Sequence, residues 1–160
     1  TGHTGGVVGT NFKSGGYGGW YYIPSKINFT TLNNEELYKF VFDKNEAIRD
    51  ESLKELERRG PEINNLLIDI VNEQKLRFPD KYFDTYLVER IVETLSKRKV
   101  DAVVPILQDM LNSQITNIIN YNSEKYKIKR YPNRINASKN LERYFNIKVT
   151  NVVTEERINE

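Results

Sequence analysis

The chain has 160 residues, 38% apolar and 29% charged, with a net charge of +2, a composition that supports one buried core and not a disordered polymer. It has no cysteine, which excludes disulfides, thiol catalysis and thiolate metal sites. No apolar run approaches the roughly 20 residues needed to cross a bilayer, and nothing reads as a secretory leader.

In chain order, TGHTGGVVGTNFKSGGYGGWYYIPSK is rich in glycine, which disfavours helix, and clusters Phe12, Tyr17, Trp20, Tyr21 and Tyr22. We expect an extended arm over residues 1–30 and a helical domain over 31–160. Tyr17, Trp20, Tyr21 and Tyr22 are candidate partner contacts, the alternative being rings that cover the helical body. Asn33 and Glu36 form a capping-box pattern with Leu32 and Leu37 as a staple, and a short helix should run to about Phe42. Asp43 and Glu46 repeat the box ahead of a helix whose face is Ile48, Ser52, Leu53 and Leu56. Gly60 and Pro61 stop that helix and start another carrying Ile63, Leu66, Leu67, Ile70 and Val71 at helical spacing.

Phe78-Pro79-Asp80 breaks the pattern. Phe83, Leu87, Val88, Ile91, Val92 and Leu95 form the next stripe, with Lys97, Arg98 and Lys99 at the pole that favours cations. Asp101 is placed to cap a long, deeply buried helix reaching Ile119, with Pro105 in its first turn. Tyr121 to Pro132 reads as strand or loop, Asn133 to Phe145 as a last helix, and Ile147 to Val153 as a short strand or docked tail.

Residues from Ile48 to Leu56 align with Leu87 to Leu95 at an offset of 39, and Ala137 and Leu141 follow at a further 46. On Asp43, Ile48-Arg49, Ser52, Leu56 and Gly60, on DAVVPILQDML and on ASKNLERYFNI, the chain resembles the HEAT-repeat family. The resemblance covers roughly Asn33 to Ile147 and leaves out the Gly/aromatic-rich arm in front; it implies a mainly α fold, a short stack of antiparallel helix pairs, and a surface for binding another protein as scaffold or adaptor. Arg49 is placed to reach the Asp43 carboxylate or that of a neighbouring unit. Some HEAT-like proteins are enzymes, but none of their catalytic residues has a match here, so we expect no enzyme and no cofactor.

His3, the sole histidine, has no second ligand near it in sequence, and no Gly-rich run fits a phosphate-binding motif. The adjacent pairs Glu35-Glu36, Asp50-Glu51 and Glu155-Glu156 are read as solvated faces. Between Tyr121 and Lys148 the charge is +6, from eight Lys or Arg against two Glu. Within it, YNSEKYKIKRYPNR places Lys125, Tyr126, Lys127, Lys129, Arg130 and Arg134 as candidates for a partner, with nucleic acid or another polyanion as the alternative to protein. As a strand this segment would set Lys125, Lys127 and Lys129 on one face, opposite Tyr126 and Ile128; a solvated loop or a lysine-protected edge strand is the plainer reading. Oligomeric state is not legible, and the cytoplasm is favoured over export.

Leu67 lies on the densest apolar stripe, so Leu67→Asp is expected to unfold the domain in a circular dichroism melt; an unchanged midpoint would show that the helix is misplaced.

Overall fold

The computed structural model describes residues 12–14, 20–22, 26–83, 85–120 and 126–159. Two compact units divide it, residues 1–66 and 67–160, and the boundary expected at 30/31 falls inside the first. Among the described residues there are six α-helices, and none is long and apolar enough to cross a membrane.

In the first unit, β1 (Phe12–Ser14) and β2 (Trp20–Tyr22) pair antiparallel, Phe12 opposite Tyr22 and Ser14 opposite Trp20. A 3₁₀ turn at Phe29–Thr31 leads to α1 (Asn34–Phe40), where the capping box forms as expected. Asn33 Oδ1 accepts from the Glu36 amide at 2.8 Å, and Glu36 Oε1 accepts from the Asn33 amide at 3.0 Å. Leu32 and Leu37 of the staple are buried.

α2 (Glu46–Arg58) is capped by Asn45, not by Asp43. The Asp43 carboxylate accepts from the Asn45 amide at 2.9 Å, a tight local bend that places Asn45 Oδ1 before the Ile48 amide, so the expected second capping box does not form. Ile48, Ser52, Leu53 and Leu56 are buried, and α2 packs on α1. Ser52 stays inside because its hydroxyl donates to the Ile48 carbonyl at 2.6 Å. Gly60 ends the helix at φ 82°, a backbone conformation that costs a side-chain-bearing residue strain, and Pro61 opens a 3₁₀ turn, Pro61–Ile63.

Two arginines gather the loops of this unit. Arg49 donates to the carbonyls of Asp43, at 2.8 Å, and Lys44, at 3.0 Å; it reaches backbone, not the expected carboxylate. Arg59 donates to the Leu32 carbonyl at 2.6 Å, to the Phe29 carbonyl at 3.4 Å and to Asn34 Oδ1 at 2.8 Å. Its Nε also pairs with Glu55, at 3.1 Å. Glu55 is buried despite its charge because Arg58 and Arg59 both hold it.

α3 (Asn64–Arg77) continues from this turn, and in the second unit Leu67, Ile70, Val71 and Gln74 of it are buried. It ends before Phe78-Pro79-Asp80, as the proline requires. α4 (Tyr86–Lys97) is capped by Thr85 and buries Val88, Ile91, Val92 and Leu95. Phe83 and Leu87 are only half-buried, and Tyr82 goes inside instead.

A 3₁₀ turn at Asp101–Val103 precedes α5 (Val104–Met110), with Pro105 in the first turn. The long buried helix expected to reach Ile119 is therefore wrong: α5 has seven residues, and the Asp101 side chain caps nothing. Asn112, Ser113 and Gln114 close local bonds of their own, Ser113 Oγ accepting from the Ile115 amide and Gln114 donating to the Asn112 carbonyl. The β-branched run after them becomes β3 (Asn117–Asn120).

β4 (Tyr126–Arg130) lies at the centre of a three-stranded antiparallel sheet, between β3 and β5 (Glu155–Asn159), so it is neither a loop nor an edge strand. The terminal strand starts later than the expected Ile147. Asn146, at φ 54°, closes α6 (Pro132–Phe145) with the Ile147 amide returning to the Leu141 carbonyl, and Asn151 turns again at φ 62°. α6 packs on α4 and α5 through a face that includes Ala137 and Leu141.

Among the described residues a helix–3₁₀–helix unit occurs twice, 40 residues apart. The caps Asn45 and Thr85, the turns beginning at Pro61 and Asp101, and the helices beginning at Asn64 and Val104 all keep that spacing. Buried Ile48, Ser52, Ile63, Leu67 and Ile70 correspond to buried Val88, Val92, Val103, Leu107 and Met110. The offset of 39 read from sequence matches leucine to leucine (Leu56 with Leu95); in the fold, Leu56 corresponds to Ser96 and Glu55 to Leu95.

Arg59→Ala should destabilise the protein by about 2–4 kcal/mol in urea unfolding, because it uncovers backbone carbonyls and removes one of two cations from a buried carboxylate. Arg59→Lys should recover less than half of this, lacking the planar fork. An Arg59→Ala loss below about 0.5 kcal/mol, the range of ordinary surface substitutions, would show that the clamp is idle.

Candidate functional site

Opposed residues of an antiparallel ladder share a face, and the faces alternate along each strand. Ile118, Lys129 and Glu156 form one row across the sheet, and Asn120, Lys127 and Ile158 the next, on the same side. Tyr126 and Ile128 stand on the other, as alternation of this segment led us to expect, and Arg130 stands with them. At its Arg130 end that second face borders the helices. Arg130 and Glu155 border an open hollow of about 480 Å³ together with Pro132, Asn133 and Ile135 of α6 and Glu89 of α4. The Lys127/Lys129 face carries two exposed isoleucines, Ile118 at 50% and Ile158 at 37% of full exposure.

Several of the basic and aromatic groups singled out in the sequence are engaged within the fold. Arg130 pairs with Glu155 at 3.0 Å. Tyr131, only 5% exposed, has the Arg134 guanidinium 3.8 Å from its ring centroid and Lys129 Nζ 5.5 Å from it. Its hydroxyl donates to Glu156 at 2.7 Å, and its amide donates to the Thr154 carbonyl at 2.9 Å, extending the β4–β5 ladder. Arg134 donates to the carbonyls of Ser113, at 2.8 Å, and Val153, at 2.9 Å, tying the start of α6 to the segments that lead into β3 and β5. Asn133 supports it by donating to Ser113 Oγ at 3.1 Å. The Tyr126 ring is covered by the Arg157 guanidinium at 4.0 Å. A base stacking on Tyr126 or Tyr131 would have to displace those cations first.

The structure thus brings Tyr126, Lys127, Lys129, Arg130 and Arg134 into one neighbourhood and divides them between two faces and an internal clip. Trp20, Tyr21 and Tyr22 form β2 in the other unit. Tyr17, Lys125 and His3 lie outside the described residues. Glu155 and Glu156 are exposed, as read in the sequence, and also meet Arg130 and Tyr131.

Sequence reasoning passed over a second polar cluster. Tyr82, 3% exposed, donates its hydroxyl to Asp109 Oδ2, which also meets Lys75 Nζ at 3.4 Å. The cluster lines an open cleft of about 360 Å³ with Val71, Pro105 and Ile106. Burial, the hydrogen bond to Asp109 and the negative charge of that carboxylate all push the Tyr82 phenol far above the usual tyrosine range. It is therefore a fixed donor at any physiological pH. No local pattern announces it, since Tyr82 and Asp109 are far apart in sequence. Among the described residues no three His, Cys, Asp or Glu side chains are grouped to hold a metal ion. No protein-family model, curated protein or solved structure matches this chain.

Arg134→Lys should lower stability by about 1–3 kcal/mol, since an ammonium cannot span two carbonyls and lie flat on Tyr131. Amide exchange should accelerate in β5 more than in α4. Uniform exchange in both would mean that the clip does not hold the sheet.

Proposed function

We propose that this chain is a non-enzymatic binding module for another protein, built from HEAT-like helix pairs, and that the Lys127/Lys129 face of its sheet makes the contact. The 40-residue recurrence of helix, 3₁₀ turn and helix supports the HEAT-like part of this reading. The observation that carries the binding part is the pair of exposed isoleucines on one sheet face, beside two lysines. An aliphatic side chain left in water gains nothing for the fold, and its burial by a partner is worth about 1.5–3 kcal/mol per residue.

Immobilised full chain should capture a partner from native extract, and Ile118→Ser/Ile158→Ser should lose that capture about tenfold or more while keeping its melting midpoint. Equal recovery of the same proteins by wild type and variant would overturn the proposal.

A further inference from the structure

We infer that the outer edge of β3 is an association site for a second copy of this chain. The two β3 strands pair antiparallel about a two-fold axis and join two three-stranded sheets into one. The inference goes beyond the protein-binding reading and does not depend on it.

It follows from where the strands direct their backbone groups. One step beyond the β4–β5 ladder the Tyr131 amide donates to the Thr154 carbonyl opposite it, at 2.9 Å. Along an antiparallel strand the N–H and C=O turn to one neighbour at one residue and to the other neighbour at the next. Tyr131, Lys129 and Lys127 therefore bond toward β5, and Arg130 and Ile128 toward β3. Arg130 stands opposite Asn117 and Ile128 opposite Ile119. Asn117 and Ile119 thus turn their backbone groups inward, and Ile118 and Asn120 turn theirs to the edge. Among the described residues no strand pairs there. The other edge, β5, is guarded by Glu155, Glu156 and Arg157, whereas β3 is Asn-Ile-Ile-Asn, with no charge and no proline. A two-fold axis at Ile119 sets Ile118 against Asn120 of the second copy, so each outward N–H meets a C=O. The two Ile119 residues then stand opposite each other at a non-hydrogen-bonded position, where side chains approach closest. Centred on Glu156 or on Arg157, the same pairing through β5 would set like charges against each other. The strand is short, so the contact is smaller than the ~1,000 Å² of a persistent interface and the dimer is a weak one.

Sedimentation velocity of the full chain, from about 10 μM to about 1 mM, should show a monomer–dimer equilibrium. Amide exchange read by NMR over the same range should slow with concentration at Ile118 and Asn120 but not at Ile119, whose amide already bonds to β4. Asn120→Pro removes an outward N–H that serves no bond to β4, so it should weaken the dimer about tenfold or more at an unchanged melting midpoint. If that variant does not fold, Asn120→Lys puts a charge on the edge and should weaken the dimer likewise, most at low salt. A chain that stays monomeric at about 1 mM, a dimer undiminished in a folded Asn120 variant, or protection gained at Arg157 in place of Ile118 and Asn120 would overturn the inference. Ile158→Ser, on β5, should dimerise as wild type does; loss of the dimer there would move the contact to the Lys127/Lys129 face and overturn it too.

Discussion

Carbonyl groups that no helix or strand can satisfy set the central constraint on this fold. A chain made of short helices has many ends, and each C-terminal end leaves up to four carbonyls without an intrahelical donor. Here three arginines, each on or just after a helix, reach into neighbouring loops and hold two backbone carbonyls apiece: Arg49 those of Asp43 and Lys44, Arg59 those of Phe29 and Leu32, Arg134 those of Ser113 and Val153. A guanidinium suits this task because its five donors lie in one plane and it never loses its charge. The loops are thereby fixed without being helical or sheet-paired. In the second unit, β3 and β5 are paired to β4 by their ladders, and the Arg134 clip ties the segments that lead into them.

What the sequence disclosed divides along the range of the interaction. Local signals were legible: the Asn33/Glu36 box, the Gly60-Pro61 punctuation, the break at Phe78-Pro79 and the apolar faces of α2 and α4 all depend on residues within a turn or two of each other. The segment after Met110 was not legible. Ile115, Ile118 and Ile119 continue a helical spacing, and only pairing with β4 makes them a strand. β5 is likewise defined by a partner 25 or more residues earlier, so its charged EERIN had no apolar alternation to mark it. The shift of the α2 cap from Asp43 to Asn45 belongs to the same class: both residues can cap, and the geometry of the preceding turn chooses.

The recurrence at 40 residues shows how far one architecture tolerates exchange inside its core. Ile48, Ser52 and Leu56 become Val88, Val92 and Ser96, so apolar and hydroxyl positions trade places between the two units. Ser52 satisfies its hydroxyl on its own helix, but the Ser96 hydroxyl has no partner among the described residues, nor has the Asn140 amide nitrogen on α6. Each buried polar atom of this kind costs about 1–3 kcal/mol. The second unit therefore carries a penalty in its α4 and α6 helices that the first avoids, and its polar ties at Tyr82–Asp109 and Tyr131–Glu156 offset part of it.

The basic stretch shows why a cluster of cations in a sequence does not define a binding surface by itself. Lys127, Lys129, Arg130 and Arg134 lie within eight residues, yet the fold assigns them three different tasks. Arg134 is a structural clip, Arg130 is neutralised by a carboxylate from 25 residues further on, and the lysines share a face with exposed isoleucines. Strand alternation separates Arg130 from the lysines, and this much can be read from the sequence. The neutralising partners cannot, because Glu155 and Glu156 become neighbours of β4 only when β5 pairs with it. Surface charge here is a property of the assembled sheet, set by pairings that only the fold creates.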